Sequence, residues 1–183
     1  MGNRVKLIEK AEVRGEVLPL YEQAEQSRGG TMPNMFKMLS YSNEMLESAL
    51  GVANFCGLET KVPAKHKQLA YLTVSRVNDC EYCLERHSVA GLKQGLTVAQ
   101  IEALHQPGEL IDNPAFDNRE KVIIRFAEEL TKTGTLSSET FNLLHEFYGD
   151  EEIVELVYTA SSANMFNRIA KALDVELEPA FKK

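Results

Sequence analysis

Cys80-Glu81-Tyr82-Cys83-Leu84-Glu85-Arg86-His87 is the stretch on which the reading of this chain turns. The two cysteines stand three residues apart, and His87 follows Cys83 by four. Residues three and four apart share one face of a helix, so the three side chains can converge on one patch. A thioredoxin-type Cys-x-x-Cys sits beside βαβ patterning. Here the sequence on both sides has helical periodicity, so the motif reads as a dithiol carried on a helix of an all-α protein. Asn78-Asp79 interrupts the preceding pattern, and either residue can cap the helix that follows. That helix runs from about Cys80 to Gln94 and stops at Gly95. The free N–H groups and the dipole at its start favour a thiolate on Cys80, and the thiolate is the reactive form of cysteine. His87 can take or give a proton, or pair with a thiolate.

The rest of the chain extends the helical reading. Residues 4–14 and 16–27 carry helical patterning (Val5, Ile8, Leu18, Tyr21) that ends at Arg28-Gly29-Gly30. After a turn at Thr31–Asn34, Met35-Phe36-Lys37-Met38-Leu39 leads into a helix over 42–56. Pro63 suits the first turn of the next helix, which continues through Leu69, Leu72, Thr73 and Arg76 to about Val77. Thr97-Val98-Ala99-Gln100 is a capping box opening a short helix to His105. Residues 106–116 give the longest loop signal. Asp117 caps a helix whose inner face is Val122, Ile123, Phe126, Ala127 and Leu130. Ser137 and Ser138 open another, with Phe141, Leu144, His145 and Phe147 inside, and Asp150 starts a last long helix over 151–173. The tail Glu178–Lys183 reads as loose. No alternating strand run is present. The expectation is one all-α domain over 1–183, with 1–60 as a helical extension of a core at 61–175.

The 183 residues are enough to bury a core without disulfide staples. Hydrophobic residues make up 44% and charged ones 26%, a globular rather than disordered balance. A net charge of −7 and the lack of any dense basic run argue against a nucleic-acid partner. No window is apolar enough to span a membrane. The first ten residues have no signal core, and Lys6 stands where a myristoylation signal needs Ser or Thr, so the expected address is the cytoplasm. Three cysteines, Cys56, Cys80 and Cys83, are not a secreted disulfide framework.

Two other readings of the motif compete. Zinc would need a fourth ligand, and His66, His105, His145 and Cys56 all lie off standard ligand spacing. The alternative without chemistry is two core thiols beside a helix-face histidine. Elsewhere Cys56 reads as a buried thiol, His66 between Lys65 and Lys67 as a surface residue, and His105 and His145 as helix-end residues. The Met and Phe cluster at 32–38 reads as core or subunit contact. Asn164, Asn167 and Arg168 read as hydrogen-bonding groups between helices, and Glu120 and Glu152 as exposed helix-start charges.

The run from Gln68 through Leu69-Ala70-Tyr71-Leu72-Thr73-Val74-Ser75-Arg76-Val77-Asn78-Asp79 to Cys80, Cys83 and His87 resembles the core of the alkylhydroperoxidase D-like/carboxymuconolactone decarboxylase superfamily. More narrowly it resembles the peroxidase-related branch that keeps both cysteines. Gly30–Phe36, Asn118–Lys121 and Ala163–Arg168 extend the resemblance over roughly 1–175. The resemblance implies an all-α helical bundle assembled as trimers or hexamers. It implies Cys83 as the thiol that attacks a hydroperoxide, Cys80 as the resolving thiol and His87 in a proton relay. It also implies a dithiol or dihydrolipoyl-type reductant and no metal, flavin or haem cofactor. Two positions depart from the pattern. The relay glutamate, twelve residues before the first cysteine, is Gln68, which cannot accept a proton as a carboxylate does. The residue before the second cysteine, a histidine in the best-studied peroxidases, is Tyr82. The expected function is thiol-dependent reduction of alkyl hydroperoxides, weakened by Gln68. The alternatives are a cofactor-free decarboxylase of the superfamily's other branch, or a redox-sensing oligomer with little turnover.

Overall fold

Ten of the 14 residues of the helix Ala64–Val77 are buried, which makes it the central element of its surroundings. The computed structural model describes residues 2–181 and contains, among them, helices and loops but no strand. In chain order the α-helices are α1 (Leu18–Ser27), α2 (Asn34–Leu39), α3 (Asn43–Gly57), α4 (Ala64–Val77) and α5 (Glu81–Lys93). They continue with α6 (Val98–His105), α7 (Asn118–Thr133), α8 (Ser138–His145) and α9 (Asp150–Leu173).

The chain divides into two compact units. One joins the segment up to Phe55 with the segment from Ala170 onward; the other is Cys56–Ile169. In the first, Tyr21, Met32 and Leu46 are fully buried. The N–H of Asn34 donates to Glu178 Oε1 at 2.6 Å, and its side-chain amide donates to the Glu176 carbonyl at 2.9 Å. The expected loose tail is therefore fastened as far as Glu178, with a 3-10 turn at Pro179–Phe181; Lys182 and Lys183 lie outside the described residues. The expected helix over 4–14 shrinks to a single 3-10 turn, Lys10–Glu12. Arg4 and Ile8 give their N–H groups to the carbonyls of Leu173 and Lys37 instead, so contacts distant in sequence override local propensity there.

In the second unit α4 packs against α5, α6 and α7, and α7 also packs against α8. Leu69, Leu72 and Val74 of α4 and Ile123, Ile124, Phe126 and Ala127 of α7 are wholly excluded from water. The expected caps at Thr97 and Asp117 are present as reciprocal capping boxes. The second reaches further than the sequence suggests. Glu120, expected to be an exposed charge, is 2% exposed: Oε2 accepts from the Asp117 N–H and from Gln100 Nε2, and Oε1 pairs with Lys65 at 2.7 Å. One carboxylate thus pins α4, α6 and α7 together.

Other expectations are also corrected. Phe141 and His145, expected inside, face solvent, where their rings meet edge to face. His66 is half-buried and hydrogen-bonds the Tyr148 hydroxyl at 3.0 Å. Lys67 is fully buried, its ammonium donating to Thr60 Oγ1 at 3.0 Å, while Thr60 donates to Glu155 at 2.5 Å. Burial lowers the Lys67 pKa, with the Glu155 carboxylate opposing. Charged residues enter this core wherever a carboxylate or hydroxyl receives them, which hydrophobic patterning alone does not reveal.

Phe126→Ala, which removes a fully buried aromatic ring from α7, is expected to lower the unfolding free energy by about 3–5 kcal/mol. Urea denaturation followed by circular dichroism checks it; a loss below ~1 kcal/mol would place the load-carrying core elsewhere.

Candidate active site

The site begins with the way α4 stops. The N–H of Cys80 bonds back to the Ser75 carbonyl at 2.9 Å and that of Asp79 to the Arg76 carbonyl at 3.0 Å. These are the two bonds of a Schellman motif, which needs a left-handed residue between them. Asp79 fills that place with φ of 50°, where α5 uses Gly95 at its own end. Asp is among the few residues other than glycine that tolerate this conformation. Asn78 closes α4, and Cys80, rather than Asn78 or Asp79, is the N-cap of α5. The Cys80 carbonyl accepts the Leu84 N–H at 2.9 Å. One residue thus ends one helix and starts the next, and Cys83 lies in the first turn beyond it.

Both sulfurs are buried and unbridged, Cys80 2% and Cys83 3% exposed. The two thiols hydrogen-bond each other, and this bond, together with burial and the charge of Cys80, pushes the Cys83 pKa up. A hydrogen bond from Asn167 and the positive charge of Arg86 pull the other way. The pair is built to share one proton: once one sulfur is charged, a second charge beside it in a dry site is strongly disfavoured.

His87 lies one helical turn beyond Cys83 and contacts α4 twice. Its ring stacks on Tyr71, with centroids 3.6 Å apart and planes 14° from parallel. Its Nδ1 is 2.9 Å from Gln68 Oε1. The amide of Gln68 is oriented by its other end, since Nε2 donates to the Cys56 carbonyl at 3.3 Å. The Gln68 oxygen therefore accepts, and His87 Nδ1–H donates, which leaves Nε2 as the bare nitrogen. Burial, helped by the Arg86 charge, lowers the His87 pKa to about 3, so the ring is neutral across the physiological range.

Behind the thiols the wall is neutral and polar. Asn78 Nδ2 donates to Asn167 Oδ1 at 3.0 Å and to Asn164 Oδ1 at 2.9 Å, and Asn167 Nδ2 donates to Ser75 Oγ at 3.2 Å. Asn167 is 0% exposed and hydrogen-bonds Cys83 as well as the helix ends, so it belongs to the site more fully than its sequence reading allows. Tyr71 is the residue that reading missed. Gln68, Tyr71 and Ser75 lie three and four apart on α4, a polar stripe on a buried helix, and that stripe was the available signal. Tyr71 lies within electrostatic reach of all three cysteines and Tyr82, and burial raises its pKa well above the ordinary range. Tyr82 is 7% exposed in the first turn of α5. Cys56 is 1% exposed, and burial raises its pKa to about 11, as befits an inert thiol.

A cleft of about 540 Å³ opens on Cys80, between Arg76, Asp79, Glu85, Leu104 and His105. Cys83 does not line it. Beside it His105 Nε2 is 2.9 Å from Ser88 Oγ and His105 Nδ1 is 3.8 Å from Glu85, an outline that resembles a hydrolytic triad. Ser88 donates its proton to the Leu84 carbonyl at 2.7 Å, so its hydroxyl accepts from His105 and is not activated for attack. Among the described residues, no three His, Cys, Asp or Glu side chains gather as a metal site, and no helix is long and apolar enough to cross a membrane.

The described residues form an all-α fold of the kind seen in solved structures of peroxidase-related and alkylhydroperoxidase AhpD core proteins. Residues 43–129 match the model of the carboxymuconolactone decarboxylase family, a little under half of the chain. The chain is 28% identical to the uncharacterized protein YdfG of Bacillus subtilis (strain 168) over 109 residues, 58% of this chain and 72% of that one. Among solved structures, a peroxidase-related protein from Silicibacter sp. TM1040 superposes with a TM-score of 0.85 at 21% identity, covering 98% of this chain and 93% of that one. A cysteine-to-alanine variant of the debrominase Bmp8 in complex with 2,3,4-tribromopyrrole gives 0.82 at 18%, covering 98% and 94%. The alkylhydroperoxidase AhpD core protein from Ralstonia eutropha JMP134 gives 0.81 at 16%, also covering 98% and 94%. At these identities the structural likeness is one of fold.

Two outcomes follow from this geometry. Because the folded pKa of His87 lies below its unfolded value of about 6.5, the neutral ring contributes stability that is present above that value and is lost as pH falls toward about 3. Its NMR resonances are expected to stay flat from pH 8 to pH 5, roughly, while an exposed histidine titrates; a midpoint near 6.5 would contradict the assigned environment. Gln68→Glu puts a carboxylate against Nδ1 and is expected to raise the His87 pKa by about 1–3 units in the same titration.

Proposed function

We propose that this chain is a thiol-dependent oxidoreductase that reduces hydroperoxides with the Cys80/Cys83 pair. The observation that carries the reading is the pair itself: two buried, unbridged thiols hydrogen-bonded to each other at a helix start, one turn from a neutral histidine of fixed tautomer. Cys83 attacks the outer peroxide oxygen as its proton leaves. The O–O bond breaks, the alcohol departs, and Cys83 becomes a sulfenic acid. The Cys80 thiol then attacks the sulfur of that sulfenic acid, its proton leaves with the hydroxyl as water, and the Cys80–Cys83 disulfide forms. A dithiol reductant of the dihydrolipoyl type enters by the cleft, attacks Cys80 and expels Cys83 as thiolate. A second attack releases the oxidised reductant, so two electrons pass from dithiol to peroxide per turn.

The hydrogen bond from Cys83 to Cys80 works against ionising Cys83 in the resting pair. The attack therefore depends on a proton acceptor, and His87 Nε2 fills that role. A histidine with a pKa of about 3 is a weak base, and Gln68 cannot stabilise the imidazolium as a carboxylate would. The reading is accordingly a slow peroxidase whose rate is limited by proton removal. Turnover of tert-butyl hydroperoxide with a dihydrolipoyl reductant, followed by stopped flow, tests it. Cys83→Ser is expected to lose about 10³-fold or more, and Cys80→Ser to allow one oxidation, trapped as sulfenic acid, without cycling. Turnover surviving Cys83→Ser overturns the assignment.

A second reading uses the same pair. The debrominase likeness and the cleft at Cys80 support reductive removal of bromine from an electron-rich ring. The carbon–bromine bond becomes carbon–hydrogen, bromide leaves, and the two thiols give up two electrons to become a disulfide. Release of bromide from a bromopyrrole, with no consumption of hydroperoxide, selects this reading over the first.

A further inference from the structure

Of the two paired sulfurs, the open cleft of about 540 Å³ reaches Cys80 alone. The charges around it are uneven. Asp79 and Glu81 line it as exposed residues, and Glu85 lines it half-buried. Arg76 lines it too, but its guanidinium is engaged. Nη2 donates to the carbonyls of Gln106 at 3.2 Å and Gly108 at 2.5 Å, and Nη1 stands 3.7 Å from Glu128 Oε1. The side chain straps the 106–108 segment, which supplies Gln106 and Pro107 to the cleft wall, to the end of α4. With Glu128 and with Arg86, whose charge reaches Cys83, included, the carboxylates of Asp79, Glu81, Glu85 and Glu128 outnumber the two guanidiniums. A protonated His105 would still leave negative charge in excess.

A second cleft of about 530 Å³ shares Gln106 and Pro107 with the first and continues the same sign. Glu102 and Glu109 line it, and no Lys, Arg or His among the described residues does. An approaching molecule therefore meets negative potential before it meets sulfur. A recess lined by one sign of charge changes the association rates of ions by about 10–10³-fold.

We propose that the cleft on Cys80 selects the reductant by charge: thiols whose carrier is neutral or cationic reach the sulfur, and those whose carrier is anionic are held off, with Glu81 and Glu85 as the selecting residues. The proposal rests on the thiol-pair reading above. In the step concerned, a reductant thiolate attacks Cys80 Sγ, the Cys80–Cys83 bond breaks, and Cys83 leaves as a thiolate that takes up a proton. The reductant's second thiol gives up its proton, attacks the sulfur bonded to Cys80, closes the reductant's own disulfide and frees Cys80. The attacking sulfur is an anion for every thiol, so discrimination falls on the charge elsewhere in the molecule.

Dihydrolipoamide and dihydrolipoate test it, because they share one dithiol and differ by a carboxylate at the far end of the same carbon chain. The full chain is first closed with diamide, which takes up the two electrons and two protons of the pair, and the disulfide is verified by intact mass and peptide mapping. Rates of its reduction are then read by alkylating the released thiols, each divided by the rate for a small neutral disulfide. At an ionic strength of about 10 mM, where charges act over about 30 Å, the amide is expected to be about fivefold or more faster than the acid. The ratio should fall to within about twofold at about 1 M salt, where that reach is about 3 Å. The double variant Glu81→Gln/Glu85→Gln, shown to be folded by circular dichroism, should lose the preference at low salt, and Glu81→Lys/Glu85→Lys should invert it. A disulfide that closes but is reduced alike by both dithiols, or a ratio that neither salt nor the glutamine variant moves, overturns the charge selection alone. A pair that diamide does not close overturns the thiol-pair reading and the selection with it.

Discussion

The Schellman turn between α4 and α5 is the constraint on which the rest of the site depends. It commits the backbone of Cys80 in both directions, its N–H to the end of α4 and its carbonyl to the start of α5. With both ends fixed, the Cys80 side chain retains little freedom beyond rotation about its own bonds. Cys83 and His87 follow from it by helical geometry alone. Asp79 is the residue that permits this arrangement, by occupying a conformation more often given to glycine. The stability of the junction comes from burial on either side, where α4 is enclosed by α5, α6 and α7.

Within this frame the polarity of the site is set by uncharged groups. Gln68, Tyr71, Ser75, Asn78 and Asn167 surround the thiols and the imidazole, and none of them is ionised at neutral pH. Gln68 fixes which nitrogen of His87 holds the proton, a positioning task that an amide performs as well as a carboxylate. It does not lower the energy of the protonated ring, a task that an amide performs poorly. Gln68 thus keeps the geometry of a relay while removing most of its driving force, and the proposed chemistry is slow for that reason.

Much of this was legible in the sequence because the relevant signals are local. The three- and four-residue spacing of Cys80, Cys83 and His87, the boxes at Thr97 and Asp117, and the long apolar period of α9 all act within a turn or two of helix. The misreadings share one cause, contacts between residues far apart in sequence. Residues 4–14 have helical periodicity but give their N–H groups to distant carbonyls. Glu120 resembles an ordinary helix-start charge until Gln100 and Lys65 close around it. Tyr71 sits in a buried helix and passes for core, because only the polar stripe it shares with Gln68 and Ser75 marks it, and the histidine it stacks on lies sixteen residues away. Phe141 shows the converse: an aromatic residue in register for burial lies on an open face because α8 is a short helix covered on one side.

The stack of Tyr71 on His87 has a consequence beyond mechanism. Two rings 3.6 Å apart and nearly parallel place each ring's protons in the shielding cone of the other. The imidazole carbon-bound protons of His87 therefore report the phenol's position through the ring current, whether or not the imidazole titrates. Any event that shifts α5 against α4, including closure of the thiol pair, moves those resonances. The protein carries its own magnetic gauge of the spacing between the helix that holds the sulfurs and the helix that holds the histidine's partners.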